Sequence, residues 1–453
     1  MTLVVESKKT VKLALPIIFG ELAQMMLHII DTVMIGALGD ESYKQVAASA
    51  LALSVINIPF VIGIGITMSV SQMVSMAKGK NDTAAVSHYL YNGFWLCTIV
   101  ALLVCAGIEL GKNVVFHLGQ DPEIARLSLP YLSVMGLSII PMLLFMTLKQ
   151  FTDGLEYTKT AMVLSVISLP LNVFINWLLI YGNWGFPRME MVGAAYGTLI
   201  SRSAIFIALA YVILRHKIYR PYISLRQQQW FIKKKTIKEL LDIGIPSSLQ
   251  IGMEAGVFAV SAIIVGTFGG EQLAAHQIAL RCAAFTFMVS MGLSQAGSIR
   301  VSNAYGGQQW NKIGTIGRSS LYIALIYGTV CAIFFVSLRT HLPTLFLKDG
   351  AGNNAVLQLA SVLLLVAGIF QISDASQAVS AGNLRGIKDV RMPTVFIFIA
   401  YWVLGLPLGY WLAYSYELKA TGIWIGFIIG LAFSSIALSS RFFGILKKRI
   451  RRL

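Results

Sequence analysis

The chain has 453 residues, of which 56% are hydrophobic and 12% charged, and its mean hydropathy is +0.72. Soluble domains carry about 25% charged residues, so this composition excludes the water-soluble classes. The net charge of +16 then reads as basic loops on one membrane face rather than as a nucleic-acid surface.

The N-terminal stretch "MTLVVESKKTVKLALPIIFG" has no small-residue cleavage site after a short apolar core, so no removable signal peptide is expected. From there, twelve apolar runs are long enough to cross a bilayer as helices. They fall at about 12–36, 50–75, 92–112, 129–150, 161–182, 191–214, 240–267, 275–299, 319–340, 355–380, 394–416 and 421–445. The longest polar interruption, "RHKIYRPYISLRQQQWFIKKKTIKELLD", follows the sixth run. This divides the chain into an N-terminal six-helix lobe (1–214), a basic connector (215–239), a C-terminal six-helix lobe (240–445) and a basic tail (446–453). With the N-terminus placed in the cytoplasm, 27 of the 36 Lys and Arg residues fall on that side and 8 on the other, with Arg202 inside span six. That bias predicts cytoplasmic termini and an even number of spans. The basic tail is suited to anionic lipid headgroups. Cys97, Cys105, Cys282 and Cys331 lie in apolar runs without metal-like spacing and read as ordinary helix residues.

The two halves resemble each other. At an offset of 227, Gly65, Ser71, Val74, Ser75, Ala77 and Gly79 meet identical residues in "GLSQAGSIRVSNAYG". Pro16/Pro246, Gly36/Gly266 and Gly39/Gly269 match at 230, and the pairs Gly193/Gly422 and Gly197/Gly426 at 229. Six spans per half restore the same orientation, so a parallel 6+6 repeat is expected, with a substrate path between the halves as in transporters.

Charged side chains inside spans are costly and therefore point to function. On span one, Glu21, Gln24, His28 and Asp31 share an arc of about 80°, and His28 is placed to hydrogen-bond to Asp31. On span five, Asn172 and Asn176 stand one turn apart beside Pro170, either as helix glue or as a binding pair. On span seven, Ser247, Gln250, Glu254 and Ser261 form one polar stripe. On span ten, Gln371, Asp374 and Gln377 share a broader face among several serines, which predicts a helix deep in a bundle. The repeat pairs Glu254 with Gln24 and Asp31 with Ser261, so the two lobes place their acids differently. Burial disfavours the charged form of a carboxyl group. Such an acid either holds a proton near neutral pH or takes a cation such as Na⁺, and coupling to an ion gradient follows from either. Met and Phe in the spans suit adaptable apolar sites, or simply pack.

These segments are together similar to the multidrug and toxic compound extrusion (MATE) family, in its NorM-like bacterial branch. The resemblance rests on "IIDTVMIGALG", the paired span-two and span-eight motifs, "GMEAGVF" and, most specifically, "SDASQAVSAGNLRGIKD". It covers nearly the whole chain and implies an all-α, V-shaped pair of six-helix lobes in the bacterial inner membrane. It also implies a secondary antiporter, without enzymatic activity or cofactor, that exports cationic lipophilic drugs as Na⁺ or H⁺ enters. The family's cation-site acids carry over to Glu254 and Asp374, a possible Na⁺ site, and its N-lobe polar site to Asp31, Asn172, Asn176 and Thr198. Gln24, His28, Gln250, Gln371 and Gln377 are substrate-path candidates. Some Na⁺-coupled relatives have a tyrosine one turn before the span-ten acid. Phe370 stands there in this chain and offers no hydroxyl ligand.

A flippase for a lipid-linked precursor is the alternative. It would need more cationic residues in its cavity, and Arg202 is the only Lys or Arg clearly inside a span. A membrane enzyme ranks lower, since no H-E-x-x-H, D-D-x-x-D or Cys/His cluster is present. Expected partners are small organic cations and membrane lipids, not nucleic acid. Twelve spans make a complete path, so a monomer is expected.

Overall fold

The computed structural model describes residues 3–39, 42–117, 119, 121–223, 231–347 and 353–451. Among them the long elements are all helices: α1 (Leu3–Gly36), α2 (Ser42–Gly79), α3 (Thr83–Gly111), α4 (Pro122–Gly154), α5 (Thr158–Tyr181), α6 (Glu190–Arg215), α7 (Lys234–Gly266), α8 (Gly270–Gly306), α9 (Trp310–Leu338), α10 (Asn354–Gly386), α11 (Arg391–Ser415) and α12 (Lys419–Ile450). Each is long and apolar enough to cross a membrane, and each contains one of the twelve expected spans or nearly all of it.

The helices run well past the apolar runs. α2 has 38 residues, about 57 Å at 1.5 Å per residue, against a hydrocarbon layer of about 30 Å. Hydropathy registers only the apolar portion. Lys149, Arg300 and Arg385, at the ends of apolar runs or just beyond them, prove to be buried helix residues. Arg202 is therefore one of several buried bases, contrary to the sequence expectation.

The chain forms two compact units, Phe19–Ser248 and Met1–Ile18 with Leu249–Leu453. Both boundaries fall inside helices, α1 and α7, rather than at the connector. In the C-terminal unit, the first turns of α1 are held by α8 and α9. Arg300 donates to the Glu6 carboxylate, to the Glu6 carbonyl at 2.7 Å and to Thr10 Oγ1 at 2.5 Å, while Ser7 and Ser319 hydroxyls meet at 2.9 Å. In the N-terminal unit, the first half of α7 lies on α2. There Ser248 Oγ donates to the Ile62 carbonyl at 2.8 Å, and a β-carbon on Gly65 would stand 2.3 Å from the Ser248 nitrogen. Residues 224–230 of the basic connector, and 452–453 of the tail, lie outside the described residues. The connector's described flanks dock on α3: Ser87 Oγ donates to the Tyr222 carbonyl at 2.5 Å and the Lys233 amide to Asn92 Oδ1 at 2.8 Å.

The repeat is visible atom by atom. A β-carbon on Gly154 would stand 2.7 Å from the Ser71 carbonyl oxygen and 3.0 Å from Val74. On Gly386 it would stand 2.9 Å from the Ser298 carbonyl oxygen and 2.7 Å from Val301. Gly193 and Gly422, and likewise Gly197 and Gly426, let α6 sit against α5 and α12 against α11 in the two units. The turns after α2 and α8 place Asn81 and Gln308, 227 residues apart, at φ 57° and 55°.

α10 is enclosed. Every residue from Asp374 to Ile387 is buried, between α8, α9 and α12. α11 is interrupted by a π-helical segment, Ile399–Gly405, just before Pro407, which has no amide hydrogen to give the preceding turn.

Candidate functional site

In the N-terminal unit, α1, α5 and α6 converge on Asp31, which is 3% exposed. Asn176 Nδ2 donates to Asp31 Oδ1 at 2.6 Å, and Thr198 Oγ1 donates to Oδ2 at 2.7 Å. Asn176 Nδ2 also donates to Asn172 Oδ1 at 3.1 Å, and Asn172 Nδ2 to Thr198 Oγ1 at 3.3 Å. The i, i+4 spacing of the asparagines is what lets them bridge. Gly197 is required beside them, because a β-carbon there would stand 2.0 Å from Asn176 Oδ1. That oxygen is buried and accepts no hydrogen bond among the described residues. Arg202, one turn beyond Thr198, donates to Ser138 Oγ at 2.7 Å. The structure thus brings together Asp31, Asn172, Asn176 and Thr198. His28 is half-buried and makes no side-chain bond to Asp31 among the described residues, since both carboxylate oxygens face Asn176 and Thr198.

In the C-terminal unit, Glu254 of α7 and Asp374 of α10 line one cavity of about 300 Å³. Its walls include Phe258, Phe287, Phe370 and Tyr401. Gln377 Nε2 donates to Glu254 Oε1 at 2.9 Å. Gln250 stands one turn before Glu254 and is held by α11 and the turn before it. Its amide donates to Thr394 Oγ1 at 3.0 Å and to the Val390 carbonyl at 3.2 Å, and its oxygen meets Arg385 Nη2 at 3.5 Å. Gln371 is fully buried, and neither end of its amide has a partner among the described residues. It is not among the cavity-lining residues. Gln24, in the N-terminal unit, also has an unpartnered Nε2.

Two residues escaped sequence reasoning. Tyr401 sits on the π-helical segment of α11 and lines the same cavity as the acids, so an aromatic hydroxyl residue is present although Phe370 has none. The signal was the Gly and Pro punctuation around it. Arg385 lies past the apolar run that ends near residue 380, so hydropathy alone places it in a loop, whereas α10 continues to Gly386 and buries it. Among the described residues no group of three His, Cys, Asp or Glu is arranged to hold a metal. The cavity is lined by two acids and no base, the reverse of what a pyrophosphate would require.

The geometry agrees with what the chain is similar to. The MatE family model matches residues 16–178 and again 246–411, so each half matches separately. The probable multidrug resistance protein NorM of Agrobacterium fabrum is 34% identical over 450 residues, covering 98% of this chain and 95% of that protein. The protein of the same name from Rhizobium meliloti is 32% identical, covering 96% and 93%. The multidrug resistance protein MdtK of Yersinia pseudotuberculosis is 31% identical, covering 97% and 95%. Among solved structures, the eukaryotic MATE transporter AtDTX14 superposes with a TM-score of 0.87 at 17% identity, covering 99% of both chains. An outward-facing MATE transporter of the MOP superfamily gives 0.87 at 20% identity, covering 98% and 96%. At these identities the structures speak for the fold, and the curated relatives for the family. This polytopic membrane protein belongs to the MatE family of multidrug and toxic compound extrusion transporters, in its NorM-like branch.

Proposed function

We propose that the chain exports cationic lipophilic compounds in exchange for Na⁺ or H⁺ by alternating access, with Glu254 and Asp374 as the coupling acids. The observation that carries this reading is that both carboxylates face one cavity of about 300 Å³ whose remaining walls are apolar or aromatic. Two acids confined in an apolar space repel each other when both are charged, so the site favours a proton or a bound cation. Carboxylates and a tyrosine hydroxyl are hard donors that suit Na⁺. The names of the relatives support drug export. Asp31, with Asn172, Asn176 and Thr198, is the second ion site, and the unpartnered Asn176 Oδ1 beside it suits a proton donor or a cation. The protein acts as a single chain in the bacterial inner membrane with both termini cytoplasmic, as the lysine and arginine bias supports. Its basic tail meets anionic lipid.

The test is ethidium efflux from cells expressing wild type, Glu254→Gln or Asp374→Asn at matched membrane levels, with Na⁺ present and absent. Loss of efflux in both variants is expected. Na⁺ dependence of the wild type assigns Na⁺ as the coupling ion, and its absence assigns protons. Full efflux in either variant removes that acid from the mechanism.

A further inference from the structure

Within the C-terminal unit, the start of α9 and the end of α12 enclose a second cavity, of about 510 Å³, apart from the one that holds the acids. Three of its lining residues are bases: Arg318 from α9, and Lys447 and Arg451 from the end of α12. No acid is among the described residues that line it. The rest of its wall is apolar, with Phe443, Leu446 and Ile450 on α12. Helical spacing produces this pattern. Lys447 and Arg451 stand one turn apart, as do Leu446 and Ile450, so a basic row and an apolar row run side by side. Gly314, one turn before Arg318, keeps the floor open. A β-carbon there would come no nearer than 3.8 Å to Arg318 Nη2 or Leu446 Cδ1. The other tail bases face elsewhere. Arg449 lies over Trp310, 5.6 Å from the ring centre, and Lys448 is not a lining residue.

Two observations say what kind of partner fits. The first is level along the membrane normal. The apolar run of α9 begins near residue 319 and that of α12 ends near 445. The three bases therefore stand where both helices leave the apolar layer, which is where lipid phosphates lie. The second comes from the repeat. α3 and α9 correspond at an offset of 227, which places Ser87 opposite Gly314. In the N-terminal unit this face is covered by the chain that follows α6: Ser87 Oγ donates to the Tyr222 carbonyl at 2.5 Å. α6 ends at Arg215, whose counterpart at an offset of 229 is Gly444, whereas α12 runs on to Ile450. The corresponding face of α9 is thereby left as an open groove among the described residues.

We propose that this groove binds the headgroup of an anionic diacyl phospholipid. The phosphodiester sits between Arg318, Lys447 and Arg451, which offer it charge-assisted hydrogen bonds. The glycerol and first acyl carbons lie on Phe443, Leu446 and Ile450. A soluble anion would satisfy the bases but leave the apolar row in water, and Ile450 is 41% exposed. A phospholipid covers both rows. The proposal rests on the reading that the basic tail meets anionic lipid, and deepens it: one lipid is held at a fixed place by two helices, rather than many being attracted to a charged tail.

The test is native mass spectrometry of the purified full-length protein in detergent, titrated with phosphatidylglycerol, phosphatidylcholine or inorganic phosphate. Phosphatidylglycerol should bind more tightly than phosphatidylcholine. Arg318→Gln, Lys447→Gln and Arg451→Gln should each weaken phosphatidylglycerol binding about fivefold. All three side chains are exposed, so their replacement leaves the packing intact. Lys448→Gln removes the same charge from the same tail and should leave binding almost unchanged. Gly314→Leu keeps every charge but fills the floor, and should weaken binding as well. Equal losses in Lys447→Gln and Lys448→Gln, with none in Gly314→Leu, would overturn the groove while leaving the tail's attraction to lipid standing. No preference for phosphatidylglycerol in the wild type would overturn both. Displacement of the lipid by inorganic phosphate at equal concentration would make this a site for a free anion and overturn the lipid as occupant.

Discussion

The two units are built on one backbone plan but carry their charges at different places, and in one pair of equivalent positions the charge has opposite sign. Asp153 immediately precedes Gly154, which packs on Ser71 and Val74. Arg385 immediately precedes Gly386, which packs on Ser298 and Val301. Where the N-terminal unit has Asp31, held by Asn176 and Thr198, the C-terminal unit has Ser261. There Trp424 Nε1 donates to His276 Nδ1 at 3.1 Å, which leaves His276 Nε2 to carry the hydrogen facing Ser261 Oγ at 3.4 Å. Ser261 in turn donates to the Phe258 carbonyl at 2.7 Å. That network is neutral and satisfied throughout. Where the C-terminal unit has Glu254, the N-terminal unit has Gln24. Packing is thus what the repeat preserves, because glycine contacts between helices tolerate no added atom. The charged groups are free to diverge wherever a polar partner exists to receive them.

The comparison breaks most sharply at its glycines. Gly154→Val and Gly386→Val should each destabilise the protein by roughly 1–3 kcal/mol or more through overpacking against backbone. Thermal unfolding in detergent should show similar losses for both. A large effect in only one unit would mean that the two contacts are not equivalent. A smaller contrast separates the two polar sites. Thr198→Val removes a hydrogen bond to a buried carboxyl and should cost about 1.5–3 kcal/mol, whereas Ser261→Ala removes a neutral one worth about 0.5–1.5 kcal/mol. Denaturation of the two variants side by side checks the order. The smallest expected effect is on stability at Phe370→Tyr, which adds one hydroxyl beside the cavity of Glu254 and Asp374. It should leave folding almost unchanged and strengthen the Na⁺ dependence of efflux, read as the Na⁺ concentration giving half-maximal rate. No change in that concentration would show that Tyr401 or the acids alone set the ion preference.

Much was legible in the order of residues. A chain with 12% charged residues and twelve apolar runs has no soluble fold open to it, because unpaired backbone groups in lipid require helices or closed barrels. Helical spacing alone placed Asn172 and Asn176 on one face. The cost of a buried charge marked Asp31, Glu254 and Asp374 as sites, and matched glycines betrayed the repeat. Tertiary structure alone decided which of these groups meet. Asn176 has room beside Asp31 because Gly197 carries no side chain, and Thr198 reaches the other carboxylate oxygen from α6. Gln377 rather than Gln371 reaches Glu254, a choice made by α10's rotation against α7 and not by its own sequence. Lys149, Arg300 and Arg385 could be recognised as buried only once their helices were seen to continue past the apolar runs, since hydropathy measures a side chain's own preference for lipid and not the partners that later neutralise it. The division of α1 and α7 between the two units has the same origin: it depends on contacts between residues hundreds of positions apart, such as Glu6 with Arg300, which no local pattern records.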